Sequence, residues 1–222
     1  MGALLKKDFI TSRYIYTISL LVVGIALCFA SMYSFEATLF IYLLGTFIVP
    51  LIANKFTATD ELRRNYDVII NSFPVRRVDV VISKFIYYFI IYVLCSFILM
   101  SIVLLVGNFN QENLYIIYII QSLSFIYYCL IIGVTNFVYY RYDYSVAAKY
   151  SAIIIIAVIN VPIIILKLID KIRPNIFIGI SKYLLVSTIP RVYLAIGITL
   201  IGVIIYFFFI VLSIIGYRKR DL

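Results

Sequence analysis

Histidine and tryptophan are absent from this chain, only 13% of its residues are charged, and it has just three cysteines and five prolines. Each shortage excludes something. Without histidine the chain lacks the commonest metal ligand and the usual general base near neutral pH, so metal-assisted and acid–base catalysis are not expected. Cys28, Cys95 and Cys129 are odd in number, have no CxxC spacing and lie in apolar runs, where free cysteine behaves as a small buried hydrophobe. No disulfide framework follows. There is no GxxxxGK[ST] phosphate loop, so the chain is not expected to hydrolyse ATP by itself.

What is abundant is apolar surface. At 65% hydrophobic the chain departs from soluble domains, which carry about 25% charged residues. Its 19 basic and 10 acidic residues all fall between six uncharged stretches: 14–32, 37–53, 85–107, 114–140, 150–166 and 192–216. A bilayer core needs about 20 apolar residues as a helix, and a charge at the centre of such a helix costs about 2.5–3.5 kcal/mol on insertion scales. The sorting predicts an all-α membrane protein of six transmembrane helices, forming one transmembrane domain over 1–222. The longest charged gap, 54–84, is too short for a core of its own.

A net charge of +9 on a soluble protein would raise the question of nucleic acid. Beside membrane spans, the positive-inside bias and attraction to anionic headgroups account for it, and no nucleic-acid partner is expected. With both termini cytoplasmic, Lys6, Lys7, Arg13, Lys55, Arg63, Arg64, Arg76, Arg77, Lys84, Arg141, Lys149, Arg218, Lys219 and Arg220 fall inside; Lys167, Lys171, Arg173, Lys182 and Arg191 fall in the last outer loop. The bias favours that orientation. The opening residues lack the Ser or Thr of a myristoylation signal at the sixth position, and the first apolar run is expected to span rather than be cleaved. Residues 1–13 are expected to lie along the inner headgroups as a helical turn or two.

The outer loops 31–38 and 108–113 are short and predict hairpins. The third outer segment, 167–191, places Phe177, Ile180 and Leu184 on one helical face between Pro174 and Pro190, which predicts a short helix at the outer surface. In the fifth span Asn160 and Pro162 read either as a hinge or pathway lining, or as a kinked structural helix whose amide bonds a neighbour. Gln121, with Ser122 and Ser124 in the fourth span, leaves the same two readings open. The 21 tyrosines cluster near span ends, as at Tyr139, Tyr140, Tyr142 and Tyr144, and suit an interfacial belt more than a stacking platform.

The segment 54–84 mixes six basic residues with Asp60, Glu61, Asp67 and Asp79, which fits a protein-contact surface better than a purely lipid-facing one. Thr59 or Asp60 can cap a short amphipathic helix with Glu61 in its first turn and Leu62, Tyr66 and Ile69 on one side, ending before Pro74. The bland alternative is a solvated connection.

Phe56, Asp60 and Glu61, then Ile70-Asn71-Ser72-Phe73-Pro74-Val75-Arg76-Arg77 and finally Lys84, resemble the loop after the second span in ABC-2 type transporter permeases. That family reads Phe, an acid, Leu-Leu-Ser-Leu-Pro-Val-Ser-Arg, and a Lys opening the third span; Asn71 and Arg76 depart from it. Leu4-Leu5-Lys6-Lys7-Asp8 is similar to the family's start. The resemblance implies a permease subunit of an ATP-driven exporter working by alternating access. It pairs with a second permease subunit, a copy or a different chain. Asp60, Glu61, Leu62, Arg63, Arg64, Tyr66 and Asp67 would contact a cytosolic ATP-binding subunit that carries ATP and Mg; this chain would hold no cofactor. In composition the chain is similar to small permeases of low-GC Gram-positive bacteria that export amphipathic peptides such as phenol-soluble modulins, and that places it in a bacterial cell membrane. The rival readings are a secondary transporter or channel, which normally holds an ionisable group inside a span, and a membrane scaffold that transports nothing.

Overall fold

The computed structural model describes residues 2–63, 76–106, 111–142 and 191–219, together with Tyr150, Ile153, Ile156, Ala157 and Asn160. Every regular element among the described residues is helical: α1 (Gly2–Tyr33), α2 (Phe35–Arg63), α3 (Arg77–Val106), α4 (Gln111–Arg141) and α5 (Arg191–Arg218). Within them, Leu4–Tyr33, Phe35–Thr59, Arg77–Val106, Leu114–Arg141 and Val192–Arg218 are long and apolar enough to cross a membrane. Five of the six expected spans are thus helices of spanning length. Of the expected fifth span, 150–166, the described residues are all helical; Pro162 and the expected outer helix at Phe177, Ile180 and Leu184 lie outside them.

Two helices run further than the charge pattern implied. α1 is continuous from Gly2, so residues 2–13 are not a separate interfacial turn. Thr11 and Ser12 donate their hydroxyls to the carbonyls of Lys7 and Asp8 one turn back, which satisfies them inside the helix where lipid offers no partner. α2 continues past residue 53 to Arg63, through Pro50. The expected cap at Thr59 does not form, because the Thr59 hydroxyl donates back to the Phe56 carbonyl instead. Nothing between 54 and 63 breaks the helix, and extending one is cheaper than nucleating another.

The first hairpin is tighter than its eight expected residues. Only Ser34 separates α1 from α2; its hydroxyl accepts from Ala37 N at 3.1 Å and its carbonyl from Thr38 N at 3.2 Å, an N-cap.

Side-chain pairs give the helix directions. α1 and α3 run the same way, since Asp8 meets Lys84, Phe9 meets Tyr87 and Gly24 faces Ile102. α3 and α4 are antiparallel, with Ser96 bonded to Gln121, Tyr92 to Ser124 and the Tyr88 carbonyl to Tyr128. α4 and α5 pack most extensively and are parallel: Ser122 meets Thr199, Gly202 faces Phe125, Gly133 faces Phe209 and Tyr140 contacts Tyr217. Glycine lets these backbones approach, the usual device where lipid supplies no hydrophobic drive between helices.

One end of the bundle is therefore basic. There α1 and α3 begin and α2, α4 and α5 end, bringing Lys6, Lys7, Arg13, Lys55, Arg76, Arg77, Lys84, Arg141, Arg218 and Lys219 to the same side. The core splits into a cluster towards that end around Phe85, Tyr88 and Tyr128, and another around Leu27, Val49 and Leu99. The tyrosine belt is only partial. Tyr142 is exposed, but Tyr42, Tyr87, Tyr88, Tyr92, Tyr128, Tyr140, Tyr206 and Tyr217 are buried in the core, where several spend their hydroxyls on carbonyls or Gln121.

Candidate functional site

The first assembly of polar groups lies inside the bundle. Gln121 on α4 accepts from the Tyr42 hydroxyl at 2.6 Å and donates its amide to Tyr92 at 2.9 Å and Ser96 at 2.8 Å. Beside it Thr46 and Ser124 pair at 3.0 Å, and Tyr92 reaches Ser124 at 3.4 Å. One amide thus joins α2, α3 and α4. Water cannot meet a glutamine's hydrogen-bonding capacity in hydrocarbon, so these three bonds from the two neighbouring helices are what allow it there. Gln121 was expected from the sequence; Tyr42, Thr46, Tyr92 and Ser96 were not. Their spacing carries a signal, since Tyr42/Thr46 and Tyr92/Ser96 are four apart and Gln121/Ser124 three apart, each pair sharing a helix face.

A second relay lies nearer the basic end. Tyr128 donates to the Tyr88 carbonyl at 3.0 Å, so it must accept from Asn54 Nδ2 at 2.9 Å. This fixes the amide orientation and leaves Asn54 Oδ1 without a hydrogen bond. Asn54, the first residue of the charged gap 54–84, is buried within α2. Tyr206 on α5 donates to the Phe85 carbonyl.

At the basic end itself, Lys84 Nζ lies 3.1 Å from Asp8 Oδ1, with the side chains 6% and 2% exposed, and Lys7 Nζ reaches the same oxygen at 3.3 Å. Arg77 donates to the Tyr217 carbonyl at 3.3 Å, its guanidinium 5.6 Å from the Tyr217 ring centre. α3 therefore begins tied to α1 on one side and α5 on the other. Asp79 N and Val80 N close its first turn on the Arg76 carbonyl, and the Asp79 carboxylate sits where the helix dipole favours an anion.

Of the expected contact residues, Asp60, Glu61, Leu62 and Arg63 form the last turn of α2 at the basic end; Arg64, Tyr66 and Asp67 lie outside the described residues. Asn160 is exposed and donates to the Ile156 carbonyl one turn back at 2.8 Å, so its donor is met within its own helix. Among the described residues no group of three or more His, Cys, Asp or Glu side chains could hold a metal.

The described residues form a bundle of helices long and apolar enough to span a membrane, with basic residues gathered at one end. A family model described as ABC-2 family transporter protein matches residues 3–218. The chain belongs to the ABC-2 transporter family. As an ABC-2 chain it is a multi-pass membrane component of an ABC transporter, a kind of subunit that works with a separate ATP-binding subunit. No curated protein and no solved structure matches it.

Proposed function

We propose that the chain is one of two permease subunits of an ATP-driven exporter that moves a hydrophobic or amphipathic cargo, with amphipathic peptides as the favoured class. The observation that carries this reading is the family match over 3–218, which takes in the whole 54–84 segment. In this reading the basic end faces the cytosol, as the positive-inside bias requires. The turn Asp60-Glu61-Leu62-Arg63, with Arg64, Tyr66 and Asp67 after it in the sequence, is the contact for the ATP-binding subunit, which carries ATP and Mg.

Six spans with both termini inside are supported by a packing relationship. α4 and α5 are parallel neighbours, so a chain leaving α4 at the basic end must return to the far end before α5 can start. One further crossing, by 150–166, meets that need.

ATP-driven closure of the partner would push the 54–84 segment and bias the bundle between two arrangements, which transport by alternating access requires. Purification from native membranes, with mass spectrometry of bound polypeptides and peptides, is expected to recover an ATP-binding subunit. Recovery of the chain with no ATPase, under conditions that preserve membrane complexes, would overturn the reading. Within the complex, charge reversal at Glu61 and Arg64 is expected to abolish stimulation of ATP hydrolysis by the membrane subunit while the bundle stays folded.

A further inference from the structure

A buried ion pair joins α1 to α3 near the start of both helices. Lys84 lies two turns after Arg77, where α3 starts; Asp8 lies near the start of α1. Their side chains are almost wholly buried, 3.1 Å apart, and Phe9, one residue on from Asp8, packs edge to face at 5.2 Å on Tyr87, three residues on from Lys84.

Attachment alone does not require charge here. A well-packed apolar pair generally holds two helices at least as firmly as a buried ion pair, whose charges are costly to desolvate; what charge adds is a defined register and the ability to exchange partners. Both features are present. Asp8 Oδ1 is also 3.3 Å from Lys7, whose side chain is 32% exposed, so the carboxylate keeps a counter-ion on its own helix if Lys84 moves. On the other side α3 is held to α5 through Arg77 and Tyr217. α3 thus receives the incoming segment and grips α1 through charge.

We propose that Asp8 and Lys84 are positioning residues that carry movement of the 54–84 segment from α3 to α1, so that the first span responds to the nucleotide state of the partner. The inference rests on the coupling reading of that segment, and the test separates the two. With the partly exposed Cys28 replaced by Ala and Cys95 and Cys129 buried, one reporter cysteine at a time is placed at the far ends of the two helices, Tyr33→Cys on α1 and Leu105→Cys on α3, both strongly exposed in the bundle. The detergent-purified complex with its ATP-binding subunit is labelled with a charged maleimide, with and without Mg-ATP and vanadate.

Labelling at both positions is expected to differ about threefold between nucleotide states, as two populated arrangements of the bundle would give. In Asp8→Asn and in Lys84→Met the response at position 33 is expected to vanish while that at 105 persists. The exchanged pair, Asp8→Lys with Lys84→Asp, is expected to restore position 33. The apolar pair, Asp8→Leu with Lys84→Met, is expected to keep the fold without restoring it. A position-33 response that survives the single substitutions or returns with the apolar pair overturns the proposal. So does a response at 105 with none at 33 in the unsubstituted chain. Absence of any response at 105 would instead sink the coupling reading of the segment itself.

Discussion

Phe209 stands in the space that a side chain at Gly133 would need: a β-carbon there would lie 2.8 Å from the β-carbon of Phe209, with ring atoms nearer still. α4 and α5 touch at this level through bare backbone on one side and an aromatic ring on the other. Gly202 repeats the arrangement against Phe125, which fixes the parallel register of the two helices at two heights.

The obstruction at Gly133 includes the root of the phenylalanine side chain and not only its mobile tip. Gly133→Ala is therefore expected to cost about 1–3 kcal/mol, the usual range for overpacking, and to lower the thermal midpoint in detergent. Gly197, where an added β-carbon would meet no atom of another helix within 4 Å among the described residues, is the control; Gly197→Ala is expected to be neutral or to gain up to about 1 kcal/mol from helix propensity. Equal behaviour of the two variants would contradict the α4–α5 packing.

Gln121 makes its side-chain hydrogen bonds to Tyr42, Tyr92 and Ser96 on two other helices. Gln121→Leu leaves those three hydroxyls to find other partners, and is expected to destabilise the bundle by about 1–3 kcal/mol, the cost of stranding buried polar groups. In a double-mutant cycle with Tyr42→Phe the coupling is expected near 0.6 kcal/mol and no higher than about 1.7 kcal/mol, the range for hydrogen bonds between membrane helices. Unfolding in mixed detergent micelles measures both. Zero coupling would mean that the two side chains do not meet.

The positions of five of the six expected spans were legible because charge is excluded from hydrocarbon at a high cost. Helix ends were less so. The charge pattern marks where lipid stops, whereas helices end where backbone bonding stops, which is why α2 runs on to Arg63 and α1 starts at Gly2. The destination of the tyrosines was hidden for a different reason. Tyr140 lies among the span-end tyrosines expected to form a belt, but whether such a residue faces headgroups or packs inside, as Tyr140 does against Tyr217, depends on which helix lies beside it. Asp8 and Lys84 are 76 residues apart in the chain. Each could be read as an ordinary flanking charge, and only the parallel packing of α1 and α3 makes them a pair.

That pair has a stability signature separate from any role in coupling. Because both side chains are withdrawn from water, removing one partner by Asp8→Asn or Lys84→Met is expected to cost about 3–5 kcal/mol. Replacing both by Leu and Met is expected to be near neutral. Burial also limits screening by ions, so the loss in each single variant should be similar at low and high salt. A loss that disappears in high salt would place the two charges at an exposed surface.

The direction of α5 makes the last prediction. α4 descends from Gln111 to Arg141 at the basic end, and α5, parallel to it, starts at the opposite end with Arg191. If α4 and α5 each cross the bilayer, Tyr142 and Arg191 lie on opposite sides of it, and positions 145 and 181, in the adjoining inner and outer segments expected from the sequence, are expected to report this. With Cys28 replaced by Ala, Asn108→Cys and Ser181→Cys are expected to react with an impermeant maleimide added to intact cells, and Ser145→Cys only after permeabilisation. Matching accessibility at 145 and 181 would show that the chain between them does not cross. It would also contradict the parallel packing of α4 and α5, because α5 would then start at the basic end, and the five crossings left, an odd number, would put the two termini on opposite sides.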